Sequence, residues 1–218
     1  DFGLITDDDC RDSSDRGSDN DGDKVFLVAG KHKARRVIFS DYDRELYDSL
    51  EKRFDAVVRE KFQKSDEQHC PSFLKLPPPN EWKVFELVDF PGFYFISQLF
   101  TPRQQLFWIQ QCLEAYSQPP NLTNHYPFVG TIEDLWLKSQ KHEWIDTPKH
   151  ETIKQHNARD LVNKMAWSTL GYQYDWTNRK YHPQEKVPFP DDSGTLVTMI
   201  ACAARFTPYL PEAAIVNY

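Results

Sequence analysis

Cysteine is scarce in this 218-residue chain, and its four copies, Cys10, Cys70, Cys112 and Cys202, lie far apart with no C-x-x-C pair. Such spacing builds neither a disulfide framework nor a zinc knuckle, and it fits a reducing intracellular compartment. No run approaches the ~18 uninterrupted apolar residues needed to cross a bilayer, so no membrane partner is expected. The eight glycines are scattered singly, which leaves no phosphate loop and no dinucleotide fingerprint. The G-x-S-x-G elbow is missing as well. None of the seven histidines sits in H-x-D, H-E-x-x-H or H-x-x-x-H, and His142, His150 and His156 are separated by eight and six positions. Motif search therefore yields no catalytic residue and no metal ligand set in this chain. No signal-peptide pattern follows Asp1, and the chain ends on Ala-Ala-Ile-Val-Asn-Tyr, a strand pattern in mid-course. Both ends read as those of a piece of a longer protein.

What the chain does have is acid at one end and aromatics throughout. Residues 1–24 hold nine Asp against Arg11, Arg16 and Lys24, a net −6 out of the whole chain's −7. This Ser/Asp/Gly-rich tail is expected to be disordered, either simply solvated or used for phosphorylation or autoinhibition. The rest is close to neutral and lacks the basic stripe of a nucleic-acid binder. One short cluster, Lys31-His32-Lys33-Ala34-Arg35-Arg36, is either solvated surface or a contact for phosphates or a nuclear-import receptor. Fifteen Phe, ten Tyr and six Trp supply ample apolar area for a core.

The pattern along the chain predicts a mixed fold. Val25–Gly30 reads as an edge strand. Residues 42–63 place Leu46, Leu50, Phe54, Val57, Val58 and Phe62 on one helical face. Leu76-Pro77-Pro78-Pro79-Asn80 is a stiff extended spacer and the best boundary in the chain. Trp82–Phe100 reads as two strands around a Pro91-Gly92 turn. Thr101-Pro102 opens a helix with Leu106, Ile109, Leu113 and Tyr116 as its buried stripe. Thr131-x-x-Asp134 has the form of a capping box for a second helix with Leu135 and Trp136, and Arg159–Met165 fits a third. Trp167–Tyr174 alternates, so Tyr172 and Tyr174 share one face of a strand. Asp175–Arg179 is its turn, and Lys180-Tyr181 begins the return. A helix from about Asp192 directs Leu196, Ile200 and Ala203 inward, and Ala213–Tyr218 is the last strand.

Around the hairpin stand Trp136, Tyr172, Tyr174, Trp176 and Tyr181. They fit core packing, or else a cavity that stacks a planar ligand such as a base, at roughly 1–3 kcal/mol per base.

These residues also carry a family resemblance. Over 82–218 the chain resembles the AlkB family of Fe(II)- and 2-oxoglutarate-dependent dioxygenases, nearest to its animal nucleic-acid demethylases. The pieces are FPGFYFI followed by QQCLEAYSQPPN, EDLW at Glu133–Trp136, GYQYDWTNRKY at Gly171–Tyr181, PFPDDSG at Pro188–Gly194 and AAIVNY, all in order. Each is weak alone; their order is specific, and residues 1–81 contribute little.

The resemblance implies an α+β fold, the N-terminal part of a double-stranded β-helix (jelly-roll) domain with packed helices. With the charge distribution and the Pro-rich spacer it divides the chain into a disordered acidic tail (1–24), an N-terminal extension with the amphipathic helix and that spacer (25–81), and an incomplete dioxygenase domain (82–218). It also implies oxidation of an N-methyl group on an unstacked base, with loss of formaldehyde, and hence methylated RNA or DNA as partner. Trp136, Tyr172, Gln173 and Tyr174 match substrate-facing positions. Asn217, with Tyr218 beside it, matches the Asn of the N-x-Y pair that binds 2-oxoglutarate. The second Tyr of that pair, the two His and one Asp that hold iron, and the co-substrate Arg all follow Tyr218 in the family. Fe(II) and 2-oxoglutarate are thus expected in the parent protein, and neither is expected to be held by this chain alone, which would be inactive. Location in nucleus or mitochondrion is carried by resemblance only. The alternative is a truncated isoform acting as a non-catalytic nucleic-acid or protein interaction module; a weaker one is a scaffold whose aromatics are all core.

Overall fold

The computed structural model describes residues 25–28, 32–63, 71–149, 152–175 and 178–218. The acidic tail, Cys10, Cys70 and Trp176 lie outside the described residues.

The first sheet is antiparallel in the order β1-β2-β3-β4, formed by β1 (Val25–Val28), β2 (His32–Val37), β3 (Lys83–Leu87) and β4 (Tyr94–Ser97). β1 takes the edge, as its short apolar run suggests. Most of the basic cluster falls in β2, where Arg35 stands opposite Glu86 of β3. Its Nε and Nη2 donate to Glu86 at 3.0 and 2.8 Å. Gly92 N–H donates to the same carboxylate at 3.2 Å. The guanidinium and that N–H hold the Glu86 carboxyl below the usual carboxylate range. The β3–β4 turn falls at Pro91-Gly92, and Gly92 has φ +87°.

Helix α1 (Arg44–Gln63) buries Phe54 and Val58 as the spacing predicts. Leu46 departs: it is exposed, and Tyr47 is buried in its place. The first turn lies at the rim, where Asp43 Oδ1 accepts Leu46 N–H at 2.9 Å and Tyr47 packs edge-on against Tyr42. The Pro-rich segment is extended but not detached. Leu76 is buried, Pro79 is buried, and the Trp82 indole donates to Pro77 O at 2.7 Å. One core runs across it, joining Tyr47, Phe54 and Val58 to Trp82, Val84, Leu196 and Met199.

Helix α2 (Pro102–Glu114) starts at a capping box between Thr101 and Gln104. Its expected stripe holds in part: Tyr116 is buried and Leu113 half-buried, whereas Leu106 is 66% exposed and Ile109 56%. Gln104, Phe107 and Trp108 face inward instead. Gln104 Nε2 donates to Phe73 O and Lys75 O at 2.8 and 3.1 Å, which fixes the roll of the helix. Phe107 then stacks on Phe62 and Trp108 on Phe54.

β5 (Leu122–Thr123), α3 (Tyr126–Val129), α4 (Leu135–Gln140), the hairpin β6 (Trp144–Lys149) and β7 (Thr152–Asn157), and α5 (Ala158–Asn163) follow. The Thr131–Asp134 capping box does not form. Asp134 itself is the N-cap, at φ +52° with no side-chain cap bond, and its N–H donates to Gln118 Oε1. A smaller core of Ile132, Leu135, Ala158, Leu161 and Met165 holds this part together. Helix α5 matches the expected third helix.

β8 (Trp167–Asp175), β9 (Lys180–Lys186), α6 (Asp191–Ala203) and β10 (Ala213–Asn217) complete the chain. β8 is the hub of the second sheet, pairing antiparallel with β10, β5 and β9. α6 packs on α1. Its fully buried Asp192 pairs with Lys61 and accepts Ser193 N–H at 2.8 Å. The fold is α+β with antiparallel sheets, as expected, and among the described residues the strands close no barrel.

Candidate ligand site at the β8–β10 corner

The site begins with a glycine. Gly171 sits in β8 at φ +73°, and a Cβ there would lie 2.0 Å from Glu212 O. Without one, the chain entering β10 presses against β8, and Tyr172 N–H donates to Glu212 O at 2.9 Å. Beyond the glycine, β8 leaves β10 and pairs with β9. The register shifts between Tyr172, opposite Lys186, and Tyr174, opposite Tyr181. The extra β9 residues open a concavity of about 410 Å³ lined by Tyr172, Tyr181, Pro183, Glu212 and Ala213, within the size range of small-ligand sites.

Tyr174 and Tyr181 meet edge-to-face at 5.0 Å. The Lys186 ammonium lies 4.5 Å from the Tyr172 ring centroid, a cation–π contact. Rings that carry hydroxyls, with one face against solvent, can stack a planar ligand and hydrogen-bond its edge.

Of the sequence-derived site residues, the structure brings Tyr172 and Tyr174 together with Tyr181. Gln173 points the other way: it is buried, Thr169 Oγ1 donates to its Oε1, and its Nε2 donates to Gly171 O at 3.0 Å. It braces the glycine from behind. Trp136 lies on α4, which packs on α5 and α2, and it does not line the concavity. Asn217, opposite Trp167, lies four residues along β10 from Ala213, roughly 13 Å away. Tyr218 is engaged elsewhere. Its N–H donates to Ala166 O, and its hydroxyl donates to Cys112 O at 2.7 Å and lies 3.1 Å from Ser168 Oγ. Burial pushes its pKa up to about 12.

Sequence reasoning missed Pro183, Glu212 and Ala213. The one available signal was that Glu212 immediately precedes a predicted strand; which strand it would join is a tertiary fact. A second concavity, of about 430 Å³, lies between β2, β4 and the end of α6. Its Arg35–Glu86 and Arg205–Asp41 pairs balance in charge.

Among the described residues no three His, Cys, Asp or Glu side chains gather closely enough to hold a metal ion. His125 is buried with Nε2 2.8 Å from Leu161 O, and burial lowers its pKa. The donor set of the described residues thus does not fit an iron centre.

No protein-family model matches the chain. Curated relatives do. The chain is 37% identical over 145 residues to the human nucleic acid dioxygenase ALKBH1, a match over 66% of this chain and 36% of that protein. It is 32% identical over 171 residues to the Arabidopsis thaliana DNA N(6)-methyladenine demethylase ALKBH1A, over 68% of this chain and 49% of the relative. It is 30% identical over 145 residues to the Schizosaccharomyces pombe tRNA demethylase abh1, over 62% and 48%. The chain thus spans between about a third and a half of the length of these relatives. With the motif order over 82–218, these matches settle kinship: the chain belongs to the AlkB family and is similar to its ALKBH1 proteins.

Proposed function

We propose that this chain supplies the substrate-facing part of an Fe(II)- and 2-oxoglutarate-dependent dioxygenase that demethylates N-methylated bases in RNA or DNA. In this reading β8 and β10 form one side of a double-stranded β-helix. The residues that hold iron, and the Arg that pairs with 2-oxoglutarate, lie outside this chain, Asn217 is its contribution to the 2-oxoglutarate end, and the chain alone is inactive. The relatives named as a nucleic acid dioxygenase and as DNA and tRNA demethylases support the reaction class. The single observation that carries the reading is the concavity walled by Tyr172 and Tyr181. It presents ring surface at the solvent boundary, where an unstacked base exchanges base stacking for aromatic stacking.

The work of these residues is to bind and orient. Tyr172 and Tyr181 supply ring surface, the Tyr174–Tyr181 contact holds the second ring, and the Gly171 approach fixes the wall opposite. The test is binding, which needs no metal. Tyr172→Ala is expected to weaken binding of a single-stranded adenine-containing oligonucleotide by about five- to a hundredfold while leaving the thermal midpoint nearly unchanged. Unaltered affinity overturns the reading.

A further inference from the structure

We infer that Glu212 is the residue by which the corner concavity chooses its ligand, favouring a planar ring whose edge offers an N–H donor. The inference rests on the base-stacking reading and goes beyond it to specificity.

Four of the five lining residues give rings or aliphatic surface: Tyr172, Tyr181, Pro183 and Ala213. These attract any planar ligand and discriminate little, because every base has a π-face. Glu212 is the one charged residue of the lining. An ionised carboxylate only accepts hydrogen bonds. Adenine and cytosine carry an exocyclic amino group and can donate to it. Unsubstituted purine keeps the ring and the N1 acceptor but has no N–H on that edge, and it would meet the carboxylate lone pair to lone pair.

Placement fixes the main chain of this acceptor at the wall, and its exposed side chain reaches out from there. Glu212 O is held by Tyr172 N–H, so the residue bearing the carboxylate is tied by its own main chain to the residue bearing the stacking ring. Only a glycine at 171 allows this approach. Register adds to it: Ala213 pairs with Gly171, which makes Glu212 the last residue before the ladder. The Lys186 ammonium lies against the Tyr172 ring but is not part of the lining. Among the described residues Glu212 forms no ion pair, so its charge is not already spent on a cation of the same corner.

The experiment uses the whole chain and two short single-stranded oligonucleotides, each with one base flanked by abasic linkers. One carries adenine, the other unsubstituted purine, and affinity is read by fluorescence anisotropy. The unaltered chain is expected to prefer adenine about tenfold, as for a hydrogen bond to a charged group. Glu212→Gln keeps the shape, the exposure and the main-chain bond to Tyr172, but its amide both donates and accepts. It should bring the preference below about twofold with the thermal midpoint unchanged. Tyr172→Ala should weaken both ligands alike and keep their ratio. If Tyr172→Ala weakens both but Glu212→Gln retains the preference, or if the unaltered chain shows none, the specificity role is overturned and base stacking stands. If Tyr172→Ala changes neither affinity, the base-stacking reading falls and the inference with it.

Discussion

Two aromatic groups in this chain have opposite surroundings. Between α1, α2 and the turn at Pro71–Leu74, the rings of Phe54, Phe62, Phe73, Phe107 and Trp108 form a continuous set of contacts with centroids 5.1 to 6.4 Å apart. At the β8–β10 corner, Tyr172, Tyr174 and Tyr181 stand half-buried or exposed around open space. The first group is Phe and Trp, and it closes on itself. The second is all Tyr, and each ring carries a hydroxyl that prefers the boundary with water. The difference lies in what covers the rings, and residue type follows from that. Phe suits an environment with no hydrogen-bond partner, whereas Tyr suits one where half the ring is dry and its edge is wet.

The largest effect should separate the two groups by stability. Phe54 is 2% exposed, and Phe54→Ala leaves a cavity among α1, α2 and α6. It should cost about 3–5 kcal/mol in chemical denaturation. Tyr181 is 49% exposed, and Tyr181→Ala should cost less than about 1 kcal/mol. Equal losses would make the corner part of the core and end the distinction.

A smaller effect comes from two glycines with similar backbone but different neighbours. Gly130 has φ +83° with nothing within 4 Å of a would-be Cβ, whereas Gly171 has φ +73° with Glu212 O at 2.0 Å. Gly130→Ala bears backbone strain alone, about 1–2 kcal/mol. Gly171→Ala bears similar strain and must also push β10 from β8. It should cost about 1 kcal/mol more and abolish oligonucleotide binding, which Gly130→Ala leaves intact. Parallel losses in both variants would show that the β8–β10 approach does not shape the concavity.

Legibility from sequence followed the range of the interaction. The α2 start was readable because Thr101, Pro102 and Gln104 are neighbours in the chain. The β3–β4 turn was readable at Pro91-Gly92, and so was the shared face of Tyr172 and Tyr174. The roll of α2 was not, because Gln104 is held by carbonyls about thirty residues earlier. Spacing alone found Leu113 and Tyr116 but also took in Leu106 and Ile109, which face solvent. The β6–β7 hairpin escaped notice because Pro148 and flanking charges mask its alternation. Glu212 became part of a site only through Gly171, forty-one residues upstream, and no local pattern encodes that meeting. The motif order, by contrast, was sufficient for the family, since order survives without knowledge of contacts.

One tyrosine joins the two regions, and it gives the smallest effect. The Tyr218 hydroxyl donates to Cys112 O in α2 and lies beside Ser168 Oγ in β8, so it tethers the helical layer to the sheet that carries the corner. Tyr218→Phe keeps the ring and should cost about 1 kcal/mol. Its signature is in alkali. The folded chain keeps this proton up to about 12, whereas an unfolded tyrosine releases it near pH ~10. Between those values the folded state binds more protons than the unfolded one, so stability falls as pH rises. Tyr218→Phe should remove that portion of the loss, and Tyr47 and Tyr116, whose pKa values burial also raises, should keep the remainder. Denaturation midpoints for both proteins at pH 8 and pH 11 read the difference directly. An unchanged alkaline slope would mean that the tether is not held in solution, and that the corner moves independently of the helices.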